Sequence, residues 1–209
     1  MGVKLFITGQ LACFSRPELS VERVSYDAMT PSAAVGVLEA IYWKPAIQWN
    51  IDRITILRPI RHTQFKRNEI SIRASAYRSR INASDNRIRI QRTTVALRDV
   101  AYIIDAHFDM TDKSGPDDNP GKHLDQFNRR ASRGQCWQRP SLAQREMIAD
   151  RWGLPDPAAI PDTSLMGERD LGLMLHSLDY KTQRPRWFRA VMRDGVIKVP
   201  AVGSREVLH

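Results

Sequence analysis

The histidines and cysteines of this 209-residue chain have the widest chemical range of its side chains, and their spacing narrows what they can do. His62, His107, His123, His176 and His209 stand apart, with no HExxH and no close Cys/His pairing, so no metal site is expected. Neither GxGxxG nor a GxxxxGKS/T loop occurs, so no nucleotide cofactor is expected, and GxSxG is absent too. One pair differs: Lys122 and His123 are adjacent and follow a loop rich in Gly, Pro, Asp and Asn. A lysine beside a histidine disfavours the imidazolium and leaves more neutral base near pH 7, although a solvated pair would be ordinary there. Such groups suit metal-free chemistry on RNA, which carries its own nucleophile in the 2′-hydroxyl. That attack needs an acceptor for the 2′ proton, a cation over the phosphorane charge and a proton for the leaving 5′-oxygen. His, Lys, Tyr and Arg can fill these roles. His107 lies in an apolar run and reads first as structural, with acid/base work in reserve.

Charge points to a polyanion. Lys+Arg is 32 against 23 Asp+Glu, a net of +9, and 25 of the basic residues are arginine. From Arg53 to Arg98 there are twelve basic and two acidic residues, so this segment supplies +10 and the remainder −1. A localised excess of this kind is the footprint of a nucleic-acid face, and the guanidinium plane suits phosphate forks and base stacking. Charge alone does not tell RNA from duplex DNA. Cys13 and Cys136 form no CxxC and are too few for a disulfide framework. With no signal-like start and no apolar stretch near ~18 residues, a cytoplasmic protein with reduced thiols and no membrane contact is expected.

These groups need elements to hold them. Residues 3–8 predict a first strand and residues 10–27 a loop. Thr30 caps and Pro31 starts a helix with Val35, Leu38, Ile41 and Tyr42 at helical spacing, which Pro45 stops. On that helix Tyr42 reads as a core tyrosine. Residues 47–60 and 69–77 predict strands, 82–86 a turn, 87–92 an alternating strand and 100–110 another. Residues 112–121 predict a loop and 122–133 a second helix, with Gly134 at its C′ position. After a proline-bearing linker at 153–162, two apolar runs with an Asp194-Gly195 turn predict a small antiparallel sheet. The order fits an α+β plait of the ferredoxin or RNA-recognition kind with strand insertions, over residues 1–150, and a small C-terminal β-sheet over 151–209.

On this frame Arg58, Arg61, Lys66 and Arg67, beside Phe65, read as a phosphate groove with a stacking platform, or else as a charged strand edge. Arg129, Arg130 and Arg133 could hold phosphate or favour the end of the second helix. Trp43, Trp49, Trp152 and Trp187 read as core. Trp137, in a basic stretch, is the candidate for base stacking.

Longer runs carry a resemblance. SYDAMTPSAAVGVLEAIYWKPAIQW (25–49), PIRHTQFKRNEI (59–70), NPGKHLDQFNRRASRGQCWQRP (119–140) and the tail DLGLMLHSLDY with FRAVMRDGVIKVP resemble the CRISPR-associated RAMP family called Cas five, subtype d. The resemblance implies an endoribonuclease of subtype I-C systems that cuts each repeat of the CRISPR precursor RNA at the base of its hairpin. It implies retention on the 5′ handle of the crRNA within the interference complex, beside backbone and large subunits. It also implies a catalytic set of Tyr42, Lys122 and His123. The chain departs from the family at Val35, where an arginine is common, and at 141–147, where a more aromatic, glycine-bearing stretch is usual. The other class open to the sequence is a non-catalytic subunit that only caps the 5′ handle.

Overall fold

Alternating side chains build the first strand, β1 (Gly2–Ala12), in which Val3, Leu5 and Ile7 turn inward and Gly2 and Lys4 outward. A computed structural model of the chain describes residues 2–19, 21–72, 75, 80–179 and 182–208. The further elements are β2 (Arg23–Val24), α1 (Pro31–Ile41), β3 (Ile47–Ile56), β4 (His62–Ile70), β5 (Arg89–Met110), α2 (Pro120–Ser132), β6 (Arg151–Gly153), β7 (Glu168–Asp179), β8 (Arg184–Arg193) and β9 (Val196–Lys198). One sheet joins the strands in the order β6-β1-β5-β3-β9-β8-β7, with β2 and β4 both pairing β5. The part β6-β1-β5-β3, with α1 between β1 and β3 and α2 between β5 and β6, is the βαββαβ plait. The fold is α+β, as the element order implies.

Several elements differ in extent from the sequence expectation, each for a nonlocal reason. β1 runs on to Ala12 because its far end pairs Leu97 of β5. The strands expected at 87–92 and 100–110 are one strand. β5 carries Asp99, whose φ of 54° lies in the left-handed region, and one edge of the strand changes partner around it, from β4 on residues 89–97 to β3 on residues 102–110, while β1 pairs the other edge from Leu97 on. The strand expected at 69–77 is instead β4, paired Ile70↔Arg89 through His62↔Leu97, and residues 73, 74, 76 and 77 lie outside the described ones. The carboxyl-terminal strands continue the same sheet, since β9 pairs β3 and Gly195 O accepts from Ile56 N at 2.8 Å. Asp194 and Gly195 turn this hairpin with φ of 49° and 77°. No helix among the described residues is long and apolar enough to cross a membrane.

The helices carry the site. Thr30 Oγ1 accepts from Ala33 N, and α1 buries Ala34, Val37, Leu38 and Ile41. The helix ends at Ile41 rather than at Pro45: Tyr42 is its C-cap, already extended at φ −149°, ψ 113°. With no basic residue in its last turn, α1 has its free carbonyls met from elsewhere. Ala40 O accepts from the backbone of Trp137 and Gln138, and Ile41 O from Arg130 Nη1 at 2.9 Å. In α2, Asn119 Oδ1 accepts from Lys122 N, and Gly134 at φ 63° closes the end as a Schellman turn, with Gln135 N bonding Arg130 O. The buried residues of this helix form one narrow stripe, His123, Phe127 and Ala131, spaced four apart, with Leu124 half-buried beside it. His123 heads that stripe, so the packing of α2 aims it inward.

Candidate active site

Tyr42 and His123 meet. The turn to extended backbone at the end of α1 swings Tyr42 under α2, and its Oη lies 2.8 Å from His123 Nδ1. Both are buried, at 3% and 1% exposure. Aromatic rings surround the pair: Trp49 Nε1 donates to Tyr42 O at 3.1 Å, Phe127 packs on Trp49, and Phe108 stands edge-on to His123. The Arg130 guanidinium lies 5.4 Å above the Tyr42 ring.

Asp118 closes the other side. Its Oδ1 is 3.3 Å from His123 Nε2 and 3.7 Å from Lys122 Nζ, while Oδ2 accepts from Gly115 N at 3.0 Å. The contact to Nε2 is electrostatic, because that buried ring nitrogen has no well-directed hydrogen bond among the described residues. The carboxylate still favours a proton on Nε2, which leaves Nδ1 to accept from the Tyr42 hydroxyl. The Gly115 amide, with the Lys122 charge beside it, holds Asp118 below the usual carboxylate range, so it is ionised at neutral pH. Burial pushes the Tyr42 phenol above its ordinary value, Arg130 pulls it down and Asp118 raises it, so Tyr42 enters neutral chemistry as an O–H donor. Lys122 is half exposed and also donates to Asp117 O at 3.2 Å. Asp118 links its ammonium to His123, which in turn holds Tyr42.

A cleft of about 1020 Å³ opens beside Tyr42, lined also by Glu39, Trp43, Lys44, Arg130 and Trp137. His123 is not among its lining residues, so Tyr42 stands between the cleft and the imidazole. Among the described residues no group of three or more His, Cys, Asp or Glu side chains converges as a metal site would require.

The basic residues separate into two sets. Arg58, Arg61 and Lys66 are exposed, as are Arg129 and Arg133. Arg129 holds Gln126 at 2.7 Å, and of Arg129, Arg130 and Arg133 only Arg130 lines the cleft. Strand alternation puts Arg67 opposite Lys66. There Arg67 is spoken for, at 2.6 Å from Glu69 and 2.8 Å from Glu146, in a cluster with Arg23 and Arg92. That cluster pins the 141–147 stretch to β2, β4 and β5. Phe65 packs on Cys13, Ala96 and Met147 instead of standing free as a stacking platform. Trp49 is core as expected, but Trp43 is 56% exposed at the cleft, and Trp137 is 82% exposed.

The family model described as "CRISPR-associated protein (Cas_Cas5)", of subtype Cas5d, matches residues 2–200. The chain belongs to the Cas5d family. Two curated relatives, both named "CRISPR pre-crRNA endoribonuclease Cas5d", align over nearly the whole chain. That of Mannheimia succiniciproducens is 43% identical, covering 98% of this chain and 97% of the relative. That of Thermus thermophilus is 36% identical, covering 98% and 94%. A solved structure titled "Crystal Structure of CRISPR-associated Protein" superposes with a TM-score of 0.74 at 23% identity, covering 100% of this chain and 97% of that one, which shows a shared fold. Within this Cas5d chain, sequence reasoning missed Asp118, Trp43, Lys44 and Glu39. Asp118 had one local signal, its position four residues before Lys122.

Proposed function

We propose that this chain is an endoribonuclease that cuts CRISPR repeat precursor RNA at the base of the repeat hairpin, drawing its catalytic groups from the protein and none from a metal. The observation that carries this reading is the buried Tyr42–His123 pair at 2.8 Å, beside a cationic cleft, in a chain 43% identical to a Cas5d endoribonuclease over 98% of its length. The 2′-oxygen attacks its own phosphate, the new 2′-O–P bond forms as the 5′-O–P bond breaks, and a 2′,3′-cyclic phosphate and a 5′-hydroxyl result. Tyr42 faces the RNA. It orients the 2′-hydroxyl and takes its proton as its own passes to His123 Nδ1. Lys122 balances charge on the phosphorane, the departing 5′-oxygen takes its proton from water, and Asp118 keeps Lys122 and His123 in place.

After cutting, the protein stays on the crRNA 5′ handle in the subtype I-C interference complex, with backbone and large subunits as partners. Residues 1–150 carry the RNA-binding and catalytic groups, and the strands of 151–209 extend their sheet. Purified protein with hairpin repeat RNA in excess EDTA tests the chemistry. Cleavage should persist, and complete loss restored by a divalent cation would refute it.

Exposed cations on the β4 side supply affinity, with Arg129, Arg133 and Trp137 near the cleft. Log K should fall steeply with log salt, and Arg61→Ala with Lys66→Ala should lower that slope by up to about two. Arg67→Ala, whose guanidinium Glu69 and Glu146 already neutralise, should lower it by much less and instead loosen the 141–147 stretch. An unchanged slope in the double variant would make this face solvated surface. Binding to duplex DNA is a further expectation of the same charge, tested by the same titration with a duplex.

A further inference from the structure

The cleft beside Tyr42 holds a carboxylate in a place where a polyanion groove should repel one. Glu39 lies on the cleft-facing side of α1, half-buried, and lines the cavity together with Trp43, Trp137, Lys44, Arg130 and Arg139. It makes no hydrogen bond or ion pair with any described residue, although three cations line the same cavity. Burial alone pushes its carboxyl above the usual range, with no neighbouring charge to offset it. A half-desolvated carboxylate without a partner is costly unless a ligand supplies donors.

The surroundings say which donors. The two exposed tryptophans are brought to the carboxyl end of α1 by different means. Trp43 follows the cap residue, and Trp137 is fixed by its own N–H to Ala40 O at 2.8 Å. Exposed indoles beside cations are the makings of a base-stacking subsite with phosphate contacts. A carboxylate in such a subsite selects among bases by their edges. Guanine offers two adjacent donors, N1–H and N2–H₂, that match the two carboxylate oxygens. Adenine sets a bare N1 beside its amino group, cytosine a bare N3, and uracil flanks its single N–H with two carbonyls, so each turns lone pairs toward the carboxylate.

We propose that this cleft is a subsite for one unpaired guanine of the bound RNA strand, stacked on Trp137 and held through N1–H and N2–H₂ by the Glu39 carboxylate. The assignment rests on the RNA-binding function proposed for the chain and adds to it a base preference next to Tyr42. With Tyr42 in the same cavity, the guanine lies within a nucleotide or two of the phosphate that is cut.

The test uses the full-length protein and uridine octamers carrying one central guanosine, adenosine or inosine, titrated by fluorescence anisotropy, with hairpin repeat RNA as a reference. The guanosine octamer should bind about tenfold tighter than the adenosine one, the scale of one good bidentate contact. Inosine, which lacks the N2 amino group, should lose most of that advantage. Glu39→Gln, of the same shape, should bring guanosine and adenosine to within about twofold of each other, and circular dichroism of the variant separates that outcome from misfolding. Equal affinity for guanosine and adenosine in the wild type, with hairpin RNA still bound, overturns the subsite and leaves the RNA reading standing. A guanosine preference that survives in Glu39→Gln removes Glu39 as its reader. If neither the octamers nor the hairpin bind, the RNA reading fails and the subsite with it.

Discussion

His123→Ala and Lys122→Ala should each cut hairpin repeat RNA roughly 10²- to 10⁴-fold more slowly than the wild type while binding it nearly normally. The separation follows from placement. His123 is 1% exposed and reaches the cleft only through Tyr42, so it contributes to the proton's path and hardly to affinity. Lys122 is one cation among many on a chain of net charge +9. Removing the His123 ring also leaves a cavity between Phe108 and Tyr42, with a stability cost on the order of 2–4 kcal/mol. Tyr42→Phe is therefore the cleaner arm. It keeps the packing against Arg130 and the aromatic cluster, removes only Oη, and should slow cleavage to a similar degree. Single-turnover rates at saturating protein, with melting temperatures beside them, make the measurement. A wild-type rate in Tyr42→Phe would take Tyr42 out of the proton path. Tight binding of the hairpin by the wild type with no cutting at all would favour the non-catalytic capping subunit.

How much of this was legible in the sequence differs from residue to residue. The stripe of His123, Phe127 and Ala131 can be counted in the chain at intervals of four, and it is what turns His123 inward. The plait could be read from element order because Thr30-Pro31 announces the first helix, and because Gly134 and Asp194-Gly195 sit where a C′ residue and a hairpin turn require them, although the second helix starts at Pro120, two residues before the expected 122. The end of α1 could not. Helical periodicity carries through Tyr42, and nothing before Pro45 speaks against it. The helix stops at Ile41 in a setting where donors from distant segments take its last carbonyls: Arg130, Trp137 and Gln138 on Ala40 and Ile41, then Trp49 on Tyr42. Once the backbone is extended at Tyr42, neighbours alternate, so Tyr42 is buried and Trp43 exposed, the reverse of a core assignment for the tryptophan. Arg67 shows the same limit. Its charge is plain in the sequence, and so is Glu69 two residues on, but its second partner, Glu146, lies 79 residues away.

A single 2′-deoxy substitution at the nucleotide before the cut should abolish cleavage while sparing binding. The nucleophile in the proposed reaction belongs to the substrate. No side chain of Tyr42, His123 or Lys122 attacks phosphorus, and the pair at 2.8 Å can only move a proton. Deleting that one oxygen therefore removes the reaction, whereas deleting a proton-transfer group only slows it, which makes this the larger effect of the two. Binding should survive, since phosphates and stacked bases supply nearly all of the affinity. The product ends carry the same information independently. The upstream fragment should end in a 2′,3′-cyclic phosphate, or the 2′- or 3′-monophosphate formed when it opens, and the downstream fragment in a 5′-hydroxyl. Mass spectrometry of the fragments distinguishes these from the alternative. An upstream 3′-hydroxyl with a downstream 5′-phosphate requires water as nucleophile and a different bond broken. That outcome, or undiminished cutting of the deoxy substrate, would refute the in-line 2′-attack and, with it, the proton-transfer roles of Tyr42 and His123.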